Sequence, residues 1–357
     1  MGRNLYFGVA ISPYRVDLCN ALHDRFGFGI FHMRLPYDSD CFDIDDIRSR
    51  CHFEDTILPS RRIGNRFIIK GLKRILREND PEIVIVPEFS FLTLQVISLR
   101  RRLKMNFRIV VSCDDCMKMI EGGDYSKFHK LMRMVVPPRV DNLILVNDKV
   151  TSWYQSRFGK GVFFPIIYDE AIFRERLEAA LPRASRIRKE MGLVGKKVVV
   201  FVGRHIELKR VPLLMEAFSK VRTDEELVVI GDGESREALE NQTLSHCTFV
   251  GSKGGEELYA WYNIADILVL PSRIEAFGAV VSEALAAGCP AIVSEAAGAT
   301  CMIRDGENGS VFSDGKDLEE KLSFWLGKVE KRDILSVRDN LTEYRFSDEI
   351  ERLFSAI

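Results

Sequence analysis

Two glutamates separated by seven residues, Glu275 and Glu283, carry the most informative chemistry of the chain. Phe277-Gly278 lies between them, and the segment follows an apolar run, Ile267 to Pro271, that is typical of a buried parallel strand. A helix that begins near Gly278 presents unpaired backbone N–H groups, which bind phosphate or another anion. The pattern predicts an anion site with one carboxylate on each side of it, and the two carboxylates are about the length of a nucleotide sugar apart. The alternative is an acidic loop residue followed by an ordinary glutamate on a helix surface.

Two cations follow another predicted strand. The segment from Phe201 to Arg210 reads Phe-Val-Gly-Arg-His-Ile-Glu-Leu-Lys-Arg, in which Gly203 allows a tight exit from the strand. Arg204 and Lys209 stand five residues apart on the loop that follows. Two such cations are able to hold a diphosphate and to stabilise it as a leaving group. The alternative is ordinary loop charge.

Two glycine-containing loops follow the next predicted strands. Gly231 opens the sequence Gly-Asp-Gly, which permits close backbone approach to a ligand, and Gly251-Ser252 opens a turn that could lie along a nucleobase. The first loop is not a dinucleotide-binding fingerprint, because the third glycine of Gly-x-Gly-x-x-Gly is missing. The absence of that motif after the first strand of either half argues against a nicotinamide-dependent oxidoreductase, which shares the same sheet type.

Short apolar strands alternate with amphipathic helices along the whole chain. The first series predicts strands at 5–11, 29–35, 81–87, 108–112 and 142–146, and helices at 14–25, 65–77, 91–103, 128–136 and 149–158. The second predicts strands at 197–202, 226–230, 248–250, 267–270 and 290–294, and helices at 174–191, 210–220, 236–241, 256–263, 280–287, 316–326 and 348–354. Such alternation predicts an α/β fold with two Rossmann-like domains, 1–165 and 166–340, whose parallel sheets face a central cleft. Ligands of these sheets bind beyond the carboxyl ends of the strands.

The composition is that of a globular protein of 357 residues, enough for two domains. No apolar run reaches the roughly 18 residues that span a bilayer, and the first residues predict a strand rather than a secretory signal. Scattered cysteines predict reduced thiols and a cytoplasmic location. Cys113 and Cys116 form a lone Cys-x-x-Cys pair, and Asp43-Ile-Asp45 lies in a poorly patterned stretch, so neither indicates a metal site.

Charge is distributed unevenly although the net charge is −1. Residues 1–165 hold 26 Lys and Arg against 19 Asp and Glu, and the remainder holds 25 against 33. Within 61–104 there are 11 basic and 4 acidic residues. Such a segment is able to rest on an anionic membrane surface or to meet an anionic acceptor. The alternative, which the helical pattern favours, is the solvated faces of two amphipathic helices.

The second half of the chain resembles the C-terminal domain of the retaining GT-B glycosyltransferases of family four, the group 1 glycosyltransferases. Four motifs stand in the family's order: Gly203-Arg204 with Lys209, Gly231-Asp-Gly233, Pro271-Ser followed by Glu275 and Glu283, and Ala286-x-Gly-x-Pro290. Gly298 and Asp305-Gly-Glu-Asn-Gly309 resemble the family's next turns. The resemblance covers roughly residues 163–355, and the four motifs in order make it specific.

The resemblance implies a donor site in the second domain. Arg204 and Lys209 would bind the donor diphosphate, Glu283 would bind the ribose hydroxyls, and Glu275 would act beside the transferred sugar. The donor-binding set is then Gly203, Arg204, Lys209, Gly231, Gly251, Ser252, Glu275, Ala276, Phe277, Gly278 and Glu283, of which Glu275, Arg204 and Lys209 are catalytic. Because two cations and a helix dipole neutralise the leaving group, we expect no metal and no other cofactor.

The first half resembles the family far less. Tyr14 and Arg15 follow the first strand as in the acceptor-side loop of some members, where Tyr14 could stack on a sugar ring; the alternative is a helix N-terminus with an exposed arginine. Many relatives place a histidine after the strand that corresponds to 108–112, but this chain has Ser-Cys-Asp-Asp-Cys there. Asp114 or Asp115 could contact the substrate instead, and Glu88 is another acceptor-side candidate.

The resemblance implies a retaining glycosyltransferase that moves a sugar from a nucleotide diphosphate sugar to a hydroxyl of a glycan or lipid-linked acceptor, as in cell-surface polysaccharide synthesis. The expected partners are the donor, the acceptor and an anionic membrane surface at 61–104, but no nucleic acid. The family's C-terminal helix crosses back to the first domain, and residues 341–357 are expected to do the same. The alternative is a protein that binds nucleotide sugars without catalysis.

Overall fold

The computed structural model describes residues 4–36, 43–63, 66–122, 127–242, 244–331 and 336–357. The chain forms two compact units. The first comprises Met1–Ile166 together with Ser347–Ile357, and the second comprises Ile167–Phe346. Each unit is an α/β layer structure with its own parallel sheet and its own hydrophobic core.

A seven-stranded sheet forms the centre of the first unit, in the order β3-β2-β1-β6-β7-β8-β9. Every pairing in it is parallel. The strands of this unit are β1 (Asn4–Gly8), β2 (Phe28–His32), β3 (Thr56–Ile57), β4 (Ser60–Ile63), β5 (Arg66–Ile69), β6 (Ile83–Pro87), β7 (Arg108–Cys113), β8 (Asn142–Leu145) and β9 (Val162–Phe163). All residues of β6 are buried, because helices cover both faces of a central parallel strand.

Among the described residues, the α-helices between these strands are α1 (Val16–Phe26), α2 (Ile44–Ser49), α3 (Leu72–Asn79), α4 (Phe91–Leu103), α5 (Met117–Glu121), α6 (Lys127–Val135) and α7 (Asp148–Phe158). Local sequence fixes where several of them begin. Ser90 caps α4 by accepting the N–H of Thr93, and Asn147 caps α7 by accepting the N–H of Val150. The chain therefore leaves β6 and β8 through short loops that end in polar caps.

The second unit contains a six-stranded parallel sheet in the order β12-β11-β10-β13-β14-β15. Its strands are β10 (Val198–Val202), β11 (Glu226–Ile230), β12 (Cys247–Gly251), β13 (Ile267–Leu270), β14 (Ala291–Ser294) and β15 (Gly309–Phe312). Its helices are α8 (Glu170–Ala179), α9 (Leu181–Glu190), α10 (Val211–Val221), α11 (Arg236–Glu240), α12 (Gly255–Ile264), α13 (Ala279–Ala286) and α14 (Gly315–Lys328). The alternating pattern of this half is confirmed, with bounds within a few residues of those predicted.

The predicted helix 65–77 is wrong in its first half. Residue 65 lies outside the described residues, and β4 and β5 pair as an antiparallel hairpin that includes Phe67 and Ile68. Gly71 then takes a left-handed conformation with φ 75°, and α3 starts only at Leu72. A residue in this conformation interrupts a right-handed helix, so the helix that contains Leu72 and Leu76 cannot extend to the apolar residues before Gly71.

The predicted helix 174–191 is two helices, α8 and α9. Pro182 lies in the first turn of α9, where its missing N–H is tolerated, but a proline inside one continuous helix would remove a hydrogen bond. The sequence prediction also missed β15, because its four residues begin with a glycine and a serine. The local sequence has little preference for a strand here, and the parallel pairing with β14 stabilises the extended conformation.

The last helix, α15 (Phe346–Ala356), packs almost entirely within the first unit. The Phe354 ring stacks on Phe26 with centroids 3.8 Å apart, and Asn142 Nδ2 donates to the Ala356 carbonyl at 2.8 Å. Residues 347–357 thus complete a unit whose other members precede residue 167. Within the described residues, no helix combines the length and the apolar character that a membrane crossing requires.

Candidate functional site

The candidate residues of the second unit gather where its sheet changes direction. From β10 the chain runs outward through β11 and β12 on one side, and then returns to place β13 on the other side. The loops that follow β10 and β13 therefore flank a topological switch point, the position at which open parallel sheets bind ligands. Arg204 and Lys209 lie on the first loop, and Glu275 lies on the second.

Three glycines allow the loops after β10, β11 and β12 to pack backbone against backbone. Gly231 has φ 133°, and a Cβ there would lie 1.9 Å from the Gly203 carbonyl oxygen. Its N–H donates to the Gly251 carbonyl at 3.0 Å. No side chain fits at such an approach, so glycine is required at position 231. Ser252 is exposed immediately beyond β12.

The side chains of Lys209 and Glu275 form an ion pair. Lys209 ends a short 3-10 helix, Glu207–Lys209, and Glu275 also accepts a hydrogen bond from Ser272 Oγ at 3.2 Å. Each side chain of the pair is 17% exposed. The structure thus joins two residues that lie 66 positions apart in sequence, and gives the strand-end loops a fixed ammonium beside a fixed carboxylate.

Arg204 differs from Lys209 because its side chain is exposed. No hydrogen bond or ion pair joins its guanidinium to any residue that the structure describes. The structure therefore offers one cation that a carboxylate already neutralises and one that remains available to an anionic ligand.

The turn at Phe277-Gly278 leads directly into α13. Gly278 has φ 101°, and a Cβ there would lie 2.5 Å from Leu270 Cδ2, so the turn needs glycine. Phe277 is buried, and its carbonyl accepts the N–H of Ala299 at 2.8 Å. No side chain caps the N-terminus of α13. The turn, with Ala276 before it, thus holds a helix N-terminus at the same edge as Lys209 and Glu275.

Glu283 lies on α13 and is held by two tyrosines. Tyr168 donates to Oε1 at 2.5 Å, and Tyr262 donates to Oε2. Sequence reasoning missed both tyrosines. A signal for Tyr262 was present, because a tyrosine in the buried run Ala260–Ile264 needs a partner for its hydroxyl.

Two further residues beside these loops were not predicted to matter. Arg210 has φ 49°, a strained conformation for a residue with a side chain, and its Nε donates to the Pro271 carbonyl at 2.7 Å. It thereby joins the loop after β10 to the loop after β13. His205 is completely buried, and neither ring nitrogen has a hydrogen-bond partner within the described chain. Burial lowers the pKa of its imidazole.

In the first unit, three acceptor-side candidates meet at the carboxyl ends of β6 and β7. Glu88 accepts the N–H of Asp114 at 3.0 Å, and Asp114 accepts a hydrogen bond from Arg15 at 2.5 Å. The Arg15 side chain is only 11% exposed, so the alternative of an exposed arginine is wrong. The guanidinium of Arg15 lies 6.0 Å from the centre of the Tyr14 ring.

Glu88 is unusual in both conformation and ionisation. Its φ is 54°, and its second carboxyl oxygen accepts the Cys113 thiol at 3.1 Å. Burial, together with the charge of Asp114, raises the pKa of Glu88 to about 7. A carboxyl group with such a pKa is able to exchange a proton near neutral pH.

Asp115 has a different environment from Asp114. It is buried, and its carboxylate accepts hydrogen bonds from Arg133 at 2.7 and 2.6 Å and from Tyr154 at 3.2 Å. Of the two aspartates that could replace the histidine found in relatives, Asp114 therefore lies in the cluster with Glu88, and Asp115 serves the packing of α6 and α7.

No group of three or more histidine, cysteine, aspartate or glutamate side chains suited to hold a metal occurs among residues 4–36, 43–63, 66–122, 127–242, 244–331 and 336–357. The described cysteines, Cys113 and Cys116 among them, are free thiols.

Comparison with known proteins gives partial sequence matches. Spore coat protein SA of Bacillus subtilis is 32% identical over 236 residues, which are 59% of this chain and 62% of that protein. Sulfoquinovosyl transferase SQD2 of Arabidopsis thaliana is 33% identical over 167 residues, 44% of this chain and 32% of the relative. D-inositol 3-phosphate glycosyltransferase of Xylanimonas cellulosilytica is 31% identical over 206 residues, 55% and 41% of the two chains. The matches thus span less than two thirds of each relative.

Solved structures match almost the whole chain at low sequence identity. The Anabaena protein HepE, crystallised with UDP and glucose, has a TM-score of 0.69 at 13% identity, covering 92% of this chain and 89% of that one. Sucrose-phosphate synthase of Thermosynechococcus elongatus has a TM-score of 0.68 at 17% identity, covering 99% and 94%. These likenesses show the fold, which is GT-B with two parallel-sheet α/β units.

The family profile described as glycosyl transferases group 1 matches residues 184–338. That range contains β10 to β15 and every strand-end loop described for the second unit, from Gly203 to Glu283. Over this range the chain is similar to the group 1 glycosyltransferases.

Proposed function

We propose that this protein transfers a sugar from a nucleoside diphosphate sugar to a hydroxyl group of an acceptor. The observation that carries the proposal is the gathering of Arg204, the Lys209–Glu275 pair and the N-terminus of α13 at one sheet edge. The names of the relatives support it, since two of the three are glycosyltransferases. HepE, which shares the fold, was crystallised with UDP and glucose.

In this proposal the strand-end loops bind the donor. The Arg204 guanidinium, exposed and without a partner among the described residues, takes the diphosphate together with Lys209 and the uncapped N-terminus of α13. Gly203, Gly231 and Gly251 let the backbone approach the nucleotide, and Glu283 accepts from the ribose hydroxyls. Because cationic side chains and a helix dipole neutralise the departing diphosphate, the reaction proceeds without a metal.

The proposed reaction retains the configuration at the anomeric carbon. The bond between this carbon and the diphosphate oxygen breaks, the bond to the acceptor oxygen forms on the same face, and the acceptor proton passes to a diphosphate oxygen. Glu275 stabilises the positive charge that develops on the sugar, and Lys209 stabilises the leaving group. Their ion pair holds both groups in place before the substrate arrives.

We assign acceptor binding to the strand-end cluster of the first unit. Arg15, Glu88 and Asp114 lie together there and present carboxyl and guanidinium groups, which suit the hydroxyls of a glycan or a lipid-linked sugar. The raised pKa of Glu88 lets this cluster accept or donate a proton near neutrality. The class of acceptor fits the synthesis of a cell-surface polysaccharide.

The donor is tested by calorimetric titration of UDP, GDP, ADP and CMP, with their common sugar conjugates, in EDTA. We expect selective binding of one nucleotide, with the affinity of Lys209→Ala reduced about 10- to 100-fold because a charged contact to phosphate is lost. The exposed Lys220 on α10 supplies the control, and Lys220→Ala should bind normally. Absence of binding to every nucleotide would overturn the proposal.

Turnover and stereochemistry require a second measurement. Proton NMR of the product formed from the selected donor should show the anomeric configuration of the donor. An inverted product would overturn retention. Binding without turnover across a broad panel of glycan and glycolipid acceptors would favour the alternative of a nucleotide-sugar-binding protein.

We also propose that the first unit rests on an anionic membrane surface. An open groove of ≈ 950 Å³ lies at the amino-terminal edge of its sheet, and five cations contribute to its lining: Arg100, Arg101, Lys104, Arg108 and Arg139. Arg100 pairs with Asp141, but Arg101, Lys104 and Arg108 have no ion-pair partner within the described chain. Exposed cations of this density attract anionic lipid. Residues 64–65 of the predicted segment 61–104 lie outside the description.

Vesicle sedimentation tests this surface. Arg101→Glu/Lys104→Glu should bind vesicles of anionic lipid more weakly than the wild type at low salt, while zwitterionic vesicles bind neither protein. Arg186→Glu/Lys189→Glu, a double charge reversal at exposed positions on α9, is the matched control and should behave as the wild type. Equal binding of the three proteins would remove the proposal without affecting the proposed reaction.

A further inference from the structure

His205 follows Arg204 directly, and its side chain packs among the strand-end loops of the proposed donor site. It is completely buried, and neither Nδ1 nor Nε2 has a hydrogen-bond partner within the described chain. The ring centroid lies 6.2 Å from that of Phe201 on β10 and 5.9 Å from that of Phe249 on β12. A Cβ at Gly231, after β11, would lie 3.4 Å from Nε2. Residues at the ends of three adjacent strands therefore enclose an imidazole that is deprived of hydrogen bonds.

The backbone of His205 joins two loops of this site. Its N–H donates to the Asp232 carbonyl at 2.7 Å, and its carbonyl accepts the N–H of Ser235 at 2.9 Å. A Cβ at Gly233 would lie 2.6 Å from the His205 carbonyl oxygen, so the approach is too close for a side chain. The loop after β10, which carries Arg204, is thus fixed to the loop after β11 through the residue whose ring is buried.

Burial is the largest influence on the ionisation of this ring, and it lowers the pKa of the imidazole from its ordinary value of 6.5. The charged groups that act on it are Asp232, on the loop after β11, with Arg236 and Glu240 on α11. The two carboxylates favour the imidazolium and Arg236 opposes it, but both carboxylates are also paired with Arg236. The enclosed ring is therefore neutral at pH 7.

We propose that His205 is a positioning residue whose neutral imidazole keeps the Arg204 loop in the arrangement that binds the donor diphosphate, and whose protonation opens that loop. The inference rests on the proposed function, since it assigns Arg204 to the diphosphate. An enclosed imidazolium would have no acceptor for either N–H, so protonation favours a state in which the ring reaches water. Such a state requires the loops to separate and the backbone hydrogen bonds to Asp232 and Ser235 to break.

The direction of the pH effect follows from the linkage between protonation and opening. Above pH 6.5 the ring of His205 is neutral whether the loops are closed or open, so it gives donor affinity no pH dependence. Below this value the open, protonated form gains up to about 10-fold per pH unit over the closed form. Donor affinity should therefore fall on acidification, once the open form predominates.

Calorimetric titration from pH 7.5 to 5.0 tests the inference, with UDP-glucose, ADP-glucose and GDP-mannose as ligands. Sugar conjugates are used because the terminal phosphate of a free nucleoside diphosphate itself titrates at about pH 6. Wild-type affinity should fall at least about 3-fold over this range. His205→Leu, with an apolar side chain, and His205→Gln, with a polar one, both lack the titrating group and should lose this fall.

His246→Asn is the matched control, because His246 belongs to the same unit but precedes β12 at the opposite edge of the sheet, where its ring contacts Glu226 at 2.9 Å. Asparagine tolerates the φ of 63° at this position. This variant should keep the wild-type fall in affinity. A uniform loss of affinity in both His205 variants, with the wild-type fall retained, would indicate a merely structural role and overturn the inference.

Hydrogen exchange of the unliganded protein gives a readout that needs no donor. At pH 5.0, peptides that cover residues 203–210 and 231–236 should exchange faster in the wild type than in His205→Leu, and at pH 7.5 the two proteins should exchange alike. Equal exchange at pH 5.0 would overturn the opening step.

The outcomes separate this inference from the proposed function. Donor binding that Lys209→Ala weakens, with the same pH profile in the wild type and both His205 variants, would overturn the inference alone. If the wild type binds none of the nucleotides or their sugar conjugates at pH 7.5, both proposals are overturned.

Discussion

At the scale of single residues, the Lys209–Glu275 pair defines what the proposed donor site is able to do. Each charge is mostly shielded from water, and the pair is fixed without a ligand. A nucleoside diphosphate lacks the sugar, so its binding depends on the cations but not on Glu275. The two roles are therefore separable by experiment.

Glu275→Gln keeps the shape of the side chain and removes its charge. We expect kcat to fall at least about 100-fold, because stabilisation of the positively charged transition state is lost. The Kd of the nucleoside diphosphate should change less than about 3-fold, because this ligand has no transferred sugar beside Glu275 and its binding energy should therefore change little. Steady-state kinetics and calorimetry measure the two quantities.

Glu207→Gln is the control for this substitution, because Glu207 lies on the opposite loop of the site with a side chain that is 84% exposed. Both kcat and Kd should stay at wild-type values. Wild-type turnover in Glu275→Gln would remove Glu275 from the catalytic role.

The raised pKa of Glu88 leads us to expect that the free energy of unfolding depends on pH. Its folded-state pKa of about 7 lies above the ordinary value of 4.5, because of burial and the charges of Asp114 and Asp115. Between these values the folded state keeps a proton that the unfolded state has lost. The free energy of unfolding should therefore fall as the pH rises through this window, by about 1–3 kcal/mol, and then stay level.

Glu88→Gln removes the titrating group and keeps a neutral side chain of similar size. Urea unfolding from pH 5 to 8 should show that this variant gains stability relative to the wild type as the pH rises to about 7. The exposed Glu78 supplies the control, and Glu78→Gln should follow the wild-type profile. An unchanged profile in Glu88→Gln would assign the pH dependence to other groups.

At the scale of elements, the donor site depends on how closely strand-end loops approach each other. Gly203, Gly231 and Gly251 follow or end three adjacent strands, and each has a positive φ. At Gly231 the backbones approach so closely that a Cβ would lie 1.9 Å from the Gly203 carbonyl oxygen. Arg210 adds a side-chain link from one loop to the next. The sequence shows these glycines as single turn signals, but only sheet order makes them neighbours.

Gly231→Ala tests the backbone approach. The added Cβ would lie 1.9 Å from the Gly203 carbonyl, and φ 133° is strained for alanine. We expect a loss of at least about 2–3 kcal/mol in the free energy of unfolding, measured in urea. Gly327→Ala is the contrasting control, because it lies within α14 with nothing near its Cβ, and it should stabilise by about 0.5 kcal/mol.

At the scale of the whole molecule, the chain returns to its first unit at its last helix. Residues 347–357 belong to the unit formed by residues 1–166, and Leu353 on α15 is fully buried. Arg352 donates to the Phe163 carbonyl at 2.6 Å. The stability of the first unit thus depends on residues that are distant in sequence.

Leu353→Ala should destabilise the first unit by about 2–4 kcal/mol, as for removal of a buried leucine side chain. Hydrogen exchange followed by mass spectrometry should show faster exchange in β1 and β2, with little change in β10 to β15. Ser355→Ala, at an exposed position on the same helix, should leave exchange unchanged. Equal acceleration in both units would show that they unfold together.

Much of this structure follows from the sequence, for reasons that are local. Strand and helix alternation predicted the central strands of both sheets, since buried parallel strands are continuous apolar runs and the helices between them have one apolar face. It did not predict the two-residue edge strands β3 and β9 of the first sheet. The prediction failed at 65–77. Phe67 and Ile68 have the spacing of a helix with Leu72 and Leu76, but they lie in β5, and the left-handed Gly71 separates them from α3. It also failed at β15, whose pairing with β14 compensates for weak local preference.

The sequence by itself determined the residue types of the proposed donor site, because glycine turns, two cations and two glutamates at strand ends have recognisable spacing. Only the tertiary structure decided their partners. Lys209 pairs with Glu275, Tyr168 and Tyr262 hold Glu283, and Arg15 is drawn to Asp114. These contacts join positions 21 to 115 apart in the chain, and sheet order, which no local pattern encodes, sets which loops become neighbours.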